Sequence, residues 1–470
     1  MTDELCSLSA TELVALIKTR EVSCREVTAA HLDRIDRVNP AVNAIVTLSA
    51  EAAVDAADSA DANIARGNWP GPLTGLPVAH KDLFPTRGIR TTWGSPLYAE
   101  HVPDHDALVV ERLRAAGAIT VGKTNTPEWG AGSQTFNAVF GATRNPWNLD
   151  RTCGGSSGGA ATALAARLLP IADGSDMGGS LRNPASFCNV VGFRVSPGRV
   201  PSLPAQSAWG TLGVTGPMAR NVADCALMLS AIAGPDPRCP ISLDTPGSRF
   251  AEPLDRNFDN VRVALAPDFA GQLPVAPDVK KIIESARAPF ESLGCEVIDA
   301  CPDFSEADEV FKTLRAASFA AQHAEGVRSQ PDMYKASVIW NTEQGLKLTG
   351  QDLNRAGQLR TTLYQRVIGF LQEYEFLLLP VAQVPPFDIG TEWVEAIDGQ
   401  SMHTYIDWMQ SCYFISVLGL PAISVPCGFT DEGLPVGLQI VGGYHRDFEV
   451  LQIAHAFEQA TRYGERTPPV

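Results

Sequence analysis

Two serines near the middle of the chain sit in glycine-crowded surroundings, in the stretch CGGSSGGAATALAARLLPIADGSDMGGSLRN from Cys153 to Asn183. Ser156 and Ser180 lie 24 positions apart, flanked by Gly154, Gly155, Gly158 and Gly159 and then by Gly174, Gly178 and Gly179. Glycine has no Cβ, so it accepts positive φ and lets other atoms approach the backbone closely. Two such turns, joined by an Ala-rich helical stretch and a short apolar strand, suit the presentation of hydroxyls and bare N–H groups to a substrate.

Three chemistries compete for this pattern. A phosphate-cradling loop is excluded, because GGSSGG lacks the Lys-Ser/Thr ending of a P-loop and does not fit G-x-G-x-x-G after a strand. A nucleophile elbow fits by letter: Gly155, Ser157 and Gly159 spell G-x-S-x-G. That motif wants a strand just before it, and Asn145–Thr152 reads as a loop. The downstream histidines His323, His403, His445 and His455 have no distinctive context. The third chemistry is serine with lysine as its base.

A lysine base must be held neutral. Lys81 stands in GLPVAHKDLF, an otherwise apolar strand from Gly75 to Phe84. Burial disfavours the ammonium and lowers its pKa toward the working range of a base. The competing role is an ion pair with Asp82 at the strand end, which side-chain alternation along a strand makes geometrically poor.

The elements around these residues alternate. Ser9–Glu12 and Ser23–Glu26 spell capping boxes, and the first 60 residues read as helices. Strand patterns follow at Pro77–Leu83, Ala118–Gly122, Leu168–Ala172, Val261–Ala266, Glu296–Ala300, Phe376–Leu379, Ala422–Cys427 and Val436–Val441. Helical patterns lie between them at His105–Ala116, Gly159–Arg167, Val222–Ile232, Ala276–Leu293, Glu306–Glu325, Asn354–Glu373 and Phe448–Thr461. This mixture predicts an α/β fold with a large sheet between helix layers. The segment near 305–350 is helical, either a flap over the site or an ordinary surface insertion.

Composition narrows the function further. The 470 residues are 45% hydrophobic and 19% charged, with net charge −16, so a large core is possible and a polyanion partner such as nucleic acid is disfavoured. Ten cysteines form no CxxC pair and no Cys/His cluster at metal spacing, which reads as buried thiols in a reducing compartment and no metal. The N-terminus carries no signal pattern and no apolar run approaches a membrane span. The expectation is a cytoplasmic protein that binds neither membrane nor nucleic acid.

Several of these motifs, in this order, resemble the amidase signature family of serine hydrolases. They are GLPVAHKDLF, GGSSGG, GSDMGGSLRNPASFCNVVGF, GLPAISVPCG and GLPVGLQIVGGYHRDFEVLQIAHAFE. The spacings, 75 residues from Lys81 to Ser156 and 24 from Ser156 to Ser180, are also similar to that family, and the likeness covers nearly all of the chain.

The resemblance implies one large domain, 1–470, with a central mixed β-sheet covered by helices on both faces. Within it lie N-terminal helices (1–60), a catalytic core (75–235) and a helical insertion of about 305–375. It implies a catalytic triad of Lys81, Ser156 and Ser180. Ser180 would be the nucleophile, Ser156 would follow a cis peptide and relay protons, and Lys81 would be the base. An acyl-enzyme on Ser180 would then be hydrolysed by water. The backbone N–H groups of Met177, Gly178, Gly179 and Ser180 would form the oxyanion hole. Gly132, Ser133 and Gln134 would approach the acyl pocket. Trp129 and Phe136, with Phe140 and Trp147, would line a substrate slot or simply pack the core.

Other matched positions carry weaker implications. Arg182 would bind an acidic substrate or pair with Asp176 or Asp173. Asp82 and Ser175 would support the site by hydrogen bonds, Ser157 would support the turn, and His80 would be structural. The chain departs from the family pattern at Ser175, usually threonine, at Met177, often threonine or isoleucine, and at Ser416, where many members carry asparagine.

The implied function is hydrolysis of a neutral, apolar or aryl amide, with related esters and carbamates. The alternative is the glutaminase component of glutamyl-tRNA amidotransferase, which releases ammonia from glutamine alongside other polypeptides. No cofactor is implied, the binding partner is a small-molecule amide, and a homodimer stays open.

Overall fold

The structure is a computed structural model that describes residues 2–205 and 207–470. Its centre is an eight-stranded mixed sheet. In sheet order the strands are Glu296–Asp299, Arg262–Leu265, Phe376–Pro380, Pro435–Gly442, Ala422–Phe429, Val191–Arg194, Val214–Ala219 and Ile171–Asp176. The first three run parallel and the remaining pairings are antiparallel.

Side chains alternate across a strand, and the run FLLL shows the result. Phe376 and Leu378 join the hydrophobic cluster on one face, while Leu377 and Leu379 join the cluster on the other. The first face is covered by helices Val222–Ile232, Pro277–Ser285 and Asp447–Thr461. The second is covered by Ala307–Ser329, Gly350–Glu373 and Gln410–Ser416. A sheet buried on both sides needs near-continuous apolar strands rather than alternating ones.

Both capping boxes form, with Ser9 and Ser23 accepting from the N–H groups of Glu12 and Glu26 and the glutamates answering. They open helices Ala10–Thr19 and Cys24–Val42. The sheet prediction needs correction in three places. Ile45–Leu48, Ile119–Thr124 and Pro77–Lys81 form a separate three-stranded sheet, so the Lys81 strand lies outside the large one. Val191–Arg194 and Val214–Ala219 are strands missing from the pattern read in the sequence, where glycines and Pro217 interrupt the apolar run. The strand read at Leu168–Ala172 runs instead over Ile171–Asp176, because its polar half is buried and hydrogen-bonded. No helix among the described residues is long and apolar enough to cross a membrane.

Candidate active site

Lys81 closes its strand and is wholly buried. Its backbone N–H donates to Asp173 Oδ1 at 2.7 Å, and His80 Nδ1 lies 2.6 Å from Asp173 Oδ2. One carboxylate on the edge of the large sheet thereby anchors the end of the small one, and His80 is structural. The Lys81 amine meets three hydroxyls: Ser156 Oγ at 2.8 Å, Ser157 Oγ at 2.9 Å and Ser175 Oγ at 3.1 Å. It has no carboxylate partner among the described residues. Burial draws its pKa down to about 7, with Asp176 and Asp173 offsetting only part of the fall. An amine so poised can accept a proton at neutral pH. Asp82 does not reach it; its carboxylate turns the other way and accepts from Thr92 N–H at 3.1 Å.

The Gly155–Ser156 peptide is cis. A Cβ on Gly155 would stand 3.0 Å from the backbone of Gln134, so only glycine lets the two segments lie flush. Ser157 N–H donates to Ser180 O at 3.2 Å and ties the two glycine turns together. Ser156 is buried, and Ser180 is 9% exposed. No hydrogen bond joins their hydroxyls among the described residues. The elbow alternative fails on geometry rather than on its leading strand. Asn148–Thr152 does form a strand, contrary to the loop expected, but Ser157 Oγ faces Lys81 and no histidine.

The loop Met177–Ser180 joins strand Ile171–Asp176 to helix Arg182–Cys188. Gly179 has φ +115°, and a Cβ there would lie 2.5 Å from Cys412 Cβ. Asp176 folds back on the loop: its carboxylate accepts from Gly179 N–H at 2.9 Å and Leu181 N–H at 3.2 Å. Gly179 N–H is therefore already engaged. The N–H groups of Met177, Gly178 and Ser180 have no protein acceptor among the described residues, so the donor set read from the sequence loses one member.

Arg182 sits behind this loop with all five N–H bonds matched. Asp176 takes two at 3.0 Å, Cys412 O one at 3.0 Å, Ser416 Oγ one at 2.8 Å, and Gln439 Oε1 the last. It has no donor left for a substrate. Burial would raise the Asp176 carboxyl, but the Arg182 and Arg194 guanidiniums outweigh it and hold the group well below the usual carboxylate range.

Residues 26–451 match the family model described as Amidase. The chain belongs to the amidase signature family. It is 36% identical to an acylamidase from Rhodococcus erythropolis, over 98% of this chain and 97% of that one. It is also 36% identical to the A subunit of glutamyl-tRNA(Gln) amidotransferase from Ralstonia pickettii (strain 12J), over 97% and 98%. A bacterial aryl acylamidase of the amidase signature family superposes with TM-score 0.91 at 28% identity, covering 97% of both chains. As a family member, this chain is a hydrolase of amide C–N bonds.

In this amidase the segment 129–136 passes beside the serines. A Cβ on Gly130 would lie 3.5 Å from Ser156 Oγ, and one on Gly132 would lie 3.9 Å from the Tyr405 ring. Ser133 is buried along the same wall. The Gln134 amide donates to Thr391 O and, at 2.7 Å, to Glu392 O, which ties it to that loop. Trp129 stacks on Trp93 at 5.8 Å and lies 4.9 Å from the His323 ring, while Phe136 carries Lys335 Nζ at 3.9 Å from its ring centroid. Trp147 packs against Phe429, and Phe140 lies under Arg90. Sequence reading missed Ser157 as a partner of Lys81; the doubled serine was its only signal. It also missed Phe311, which stands 2.8 Å from where a Gly178 Cβ would be. Nothing local marks a helix residue some 130 positions downstream as part of the site.

Proposed function

We propose that this amidase hydrolyses amides flanked by apolar or aryl groups, and related esters and carbamates, through an acyl-enzyme on Ser180. Neutral Lys81 takes a proton from Ser156 as Ser156 takes one from Ser180, whose Oγ attacks the carbonyl carbon. The developing oxyanion meets the N–H groups of Met177, Gly178 and Ser180. The relay then returns the proton to the leaving nitrogen, and water, deprotonated the same way, releases the acid. Ser156 and Ser180 come into hydrogen-bond contact when substrate is bound, as catalytic contacts often tighten only then.

The observation that carries this reading is a buried amine, poised near 7, hydrogen-bonded to Ser156 with no carboxylate to hold it charged. Phe311 against the 177–180 loop and Tyr405 beside Gly132 support an apolar or aryl substrate, as does the acylamidase likeness. We assign the helical segment 305–375 the role of covering this site, on the strength of Phe311 against the 177–180 loop. A second reading, glutamine hydrolysis as one component of an amidotransferase, is favoured by the equal identity to the Ralstonia protein.

The test is a panel of short- and long-acyl nitroanilides, an ester, a carbamate and glutamine, given to the pure chain with intact-mass detection. Anilide turnover with an acyl adduct on Ser180 is expected. Ser180→Ala and Lys81→Ala should each lose about 10³-fold or more in rate while melting normally. More than about a tenth of wild-type rate in either variant overturns the triad. Inertness to all but glutamine selects the second reading.

A further inference from the structure

Arg315 stands on helix Ala307–Ser329, one turn beyond Phe311. Its Nη1 approaches Met177 Sδ at 3.5 Å, and its Nη2 donates to Tyr405 OH at 2.9 Å. Asn341 Nδ2 donates to the same hydroxyl. Tyr405 in turn lies beside Gly132. The cluster therefore spans the two walls of the site, from the 177–180 loop to the 130–134 segment.

The charge of Arg315 is unanswered. Arg182, Arg194, Arg199 and Arg315 are the buried arginines among the described residues. The first three face carboxylates, Asp176 for two of them and Asp447 for the third. Arg315 is 4% exposed and has no carboxylate partner among the described residues, where its buried Nε–H also finds no acceptor. Phe319 lies 4.5 Å from its guanidinium carbon, and Phe311 and Tyr405 lie at 5.9 Å. A thioether, a phenol and two phenyl rings are weak compensation for a buried guanidinium. Tyr405 OH already accepts from Arg315 and Asn341, so its own proton is left to donate. A second cation, Lys335 Nζ, stands 4.0 Å from the Gly132 Cβ position, its nearest carboxylate being Glu392 at 3.7 Å.

We infer that Arg315, with Tyr405, binds a carboxylate carried by the substrate at its end remote from the scissile amide. The preferred substrates are then acidic amides, an apolar or aryl body ending in a carboxylate. A guanidinium edge with a free Nε–H matches that group in shape as well as charge. The inference rests on the amidase reading above and departs from the neutral substrate expected from sequence only at this remote end.

Two matched pairs of anilides test it. In one, a dicarboxylic acid monoanilide is set against the chain-matched alkanoyl anilide. In the other, the amide of 4-aminobenzoate is set against that of aniline. We expect wild-type kcat/KM to favour the acidic member of at least one pair by about tenfold or more. The preference should sit in KM, collapse in Arg315→Met, and return in part in Arg315→Lys. Absence of acid preference in both pairs, or a preference that survives Arg315→Met, overturns the proposal. If Arg315→Met fails to fold, the near-isosteric Tyr405→Phe must itself cut the preference. If wild type cleaves no anilide, the aryl-amide reading fails by itself. Calorimetric binding of each pair to Ser180→Ala, with and without Arg315→Met, then decides the carboxylate site on the same criterion.

Discussion

Lys81 has no carboxylate partner among the described residues, and its chemistry follows from that. Three hydroxyls hold the amine in place without fixing its charge, and burial lowers its pKa to about 7. The sign follows: a depressed pKa leaves the amine neutral, and so able to act as base, above about 7. Anilide kcat/KM should therefore climb between about pH 6 and 8 and level off above. Initial rates across that span, with a melt at each pH, check this; a steady fall with the protein still folded contradicts a lysine base. Arg182 is the contrasting case. From the sequence it could have met an acidic substrate or an aspartate, and its five matched donors leave only the second. Arg182→Ala should cost about 3 kcal/mol of stability by breaking a buried ion pair and leaving Asp176 to Arg194 alone, measured by denaturant unfolding. The apolar strand made Lys81 legible because burial shifts a lysine whatever its neighbours. Arg315 was illegible because its meaning lies in a partner it lacks, and only coordinates reveal that.

At the scale of elements, turns and helix ends do the positioning. Gly179→Ala would force a side chain onto Cys412 and strain a backbone at φ +115°, so the loop must shift. The expected result is a large loss of kcat, about 10²-fold or more, as oxyanion donors move out of place, with KM changing less. Glu458, on helix Asp447–Thr461, accepts the Val222 N–H at 3.0 and 3.2 Å at the start of helix Val222–Ile232. Burial raises its pKa to about 8. Because the folded value lies above the unfolded one, its stabilising share is complete below the ordinary carboxylate pKa and is lost as pH rises through about 8. Wild-type Tm should fall more between about pH 5 and 9 than that of Glu458→Gln, read by differential melts. The capping boxes and long helices were legible because their signals are local. The strands Val191–Arg194 and Val214–Ala219 were not, since a sheet interior accepts short or proline-bearing segments once neighbours cover them.

The whole molecule interleaves its ends. Val191–Arg194, from the first half of the chain, pairs with Ala422–Phe429 near its end, and Asp447–Thr461 packs beneath Val222–Ile232. Residues 1–235 should thus fail to fold alone, because strand Val191–Arg194 would expose an open apolar edge in mid-sheet. A cooperative melt of that fragment would refute a single folding unit. By itself, the sequence determined what chemistry was on offer: glycine-flanked serines, a lysine in an apolar strand, and the alternation that makes an α/β fold. These are legible because they depend on residue type and short-range spacing. The tertiary structure alone decided that Asp176 engages Gly179 and Arg182, that Ser157 joins Lys81, and that Arg315 is buried against Met177 and Tyr405 with no carboxylate among the described residues. Each of these depends on which charges and donors meet in a dry interior, and chain folding brings them there from far apart.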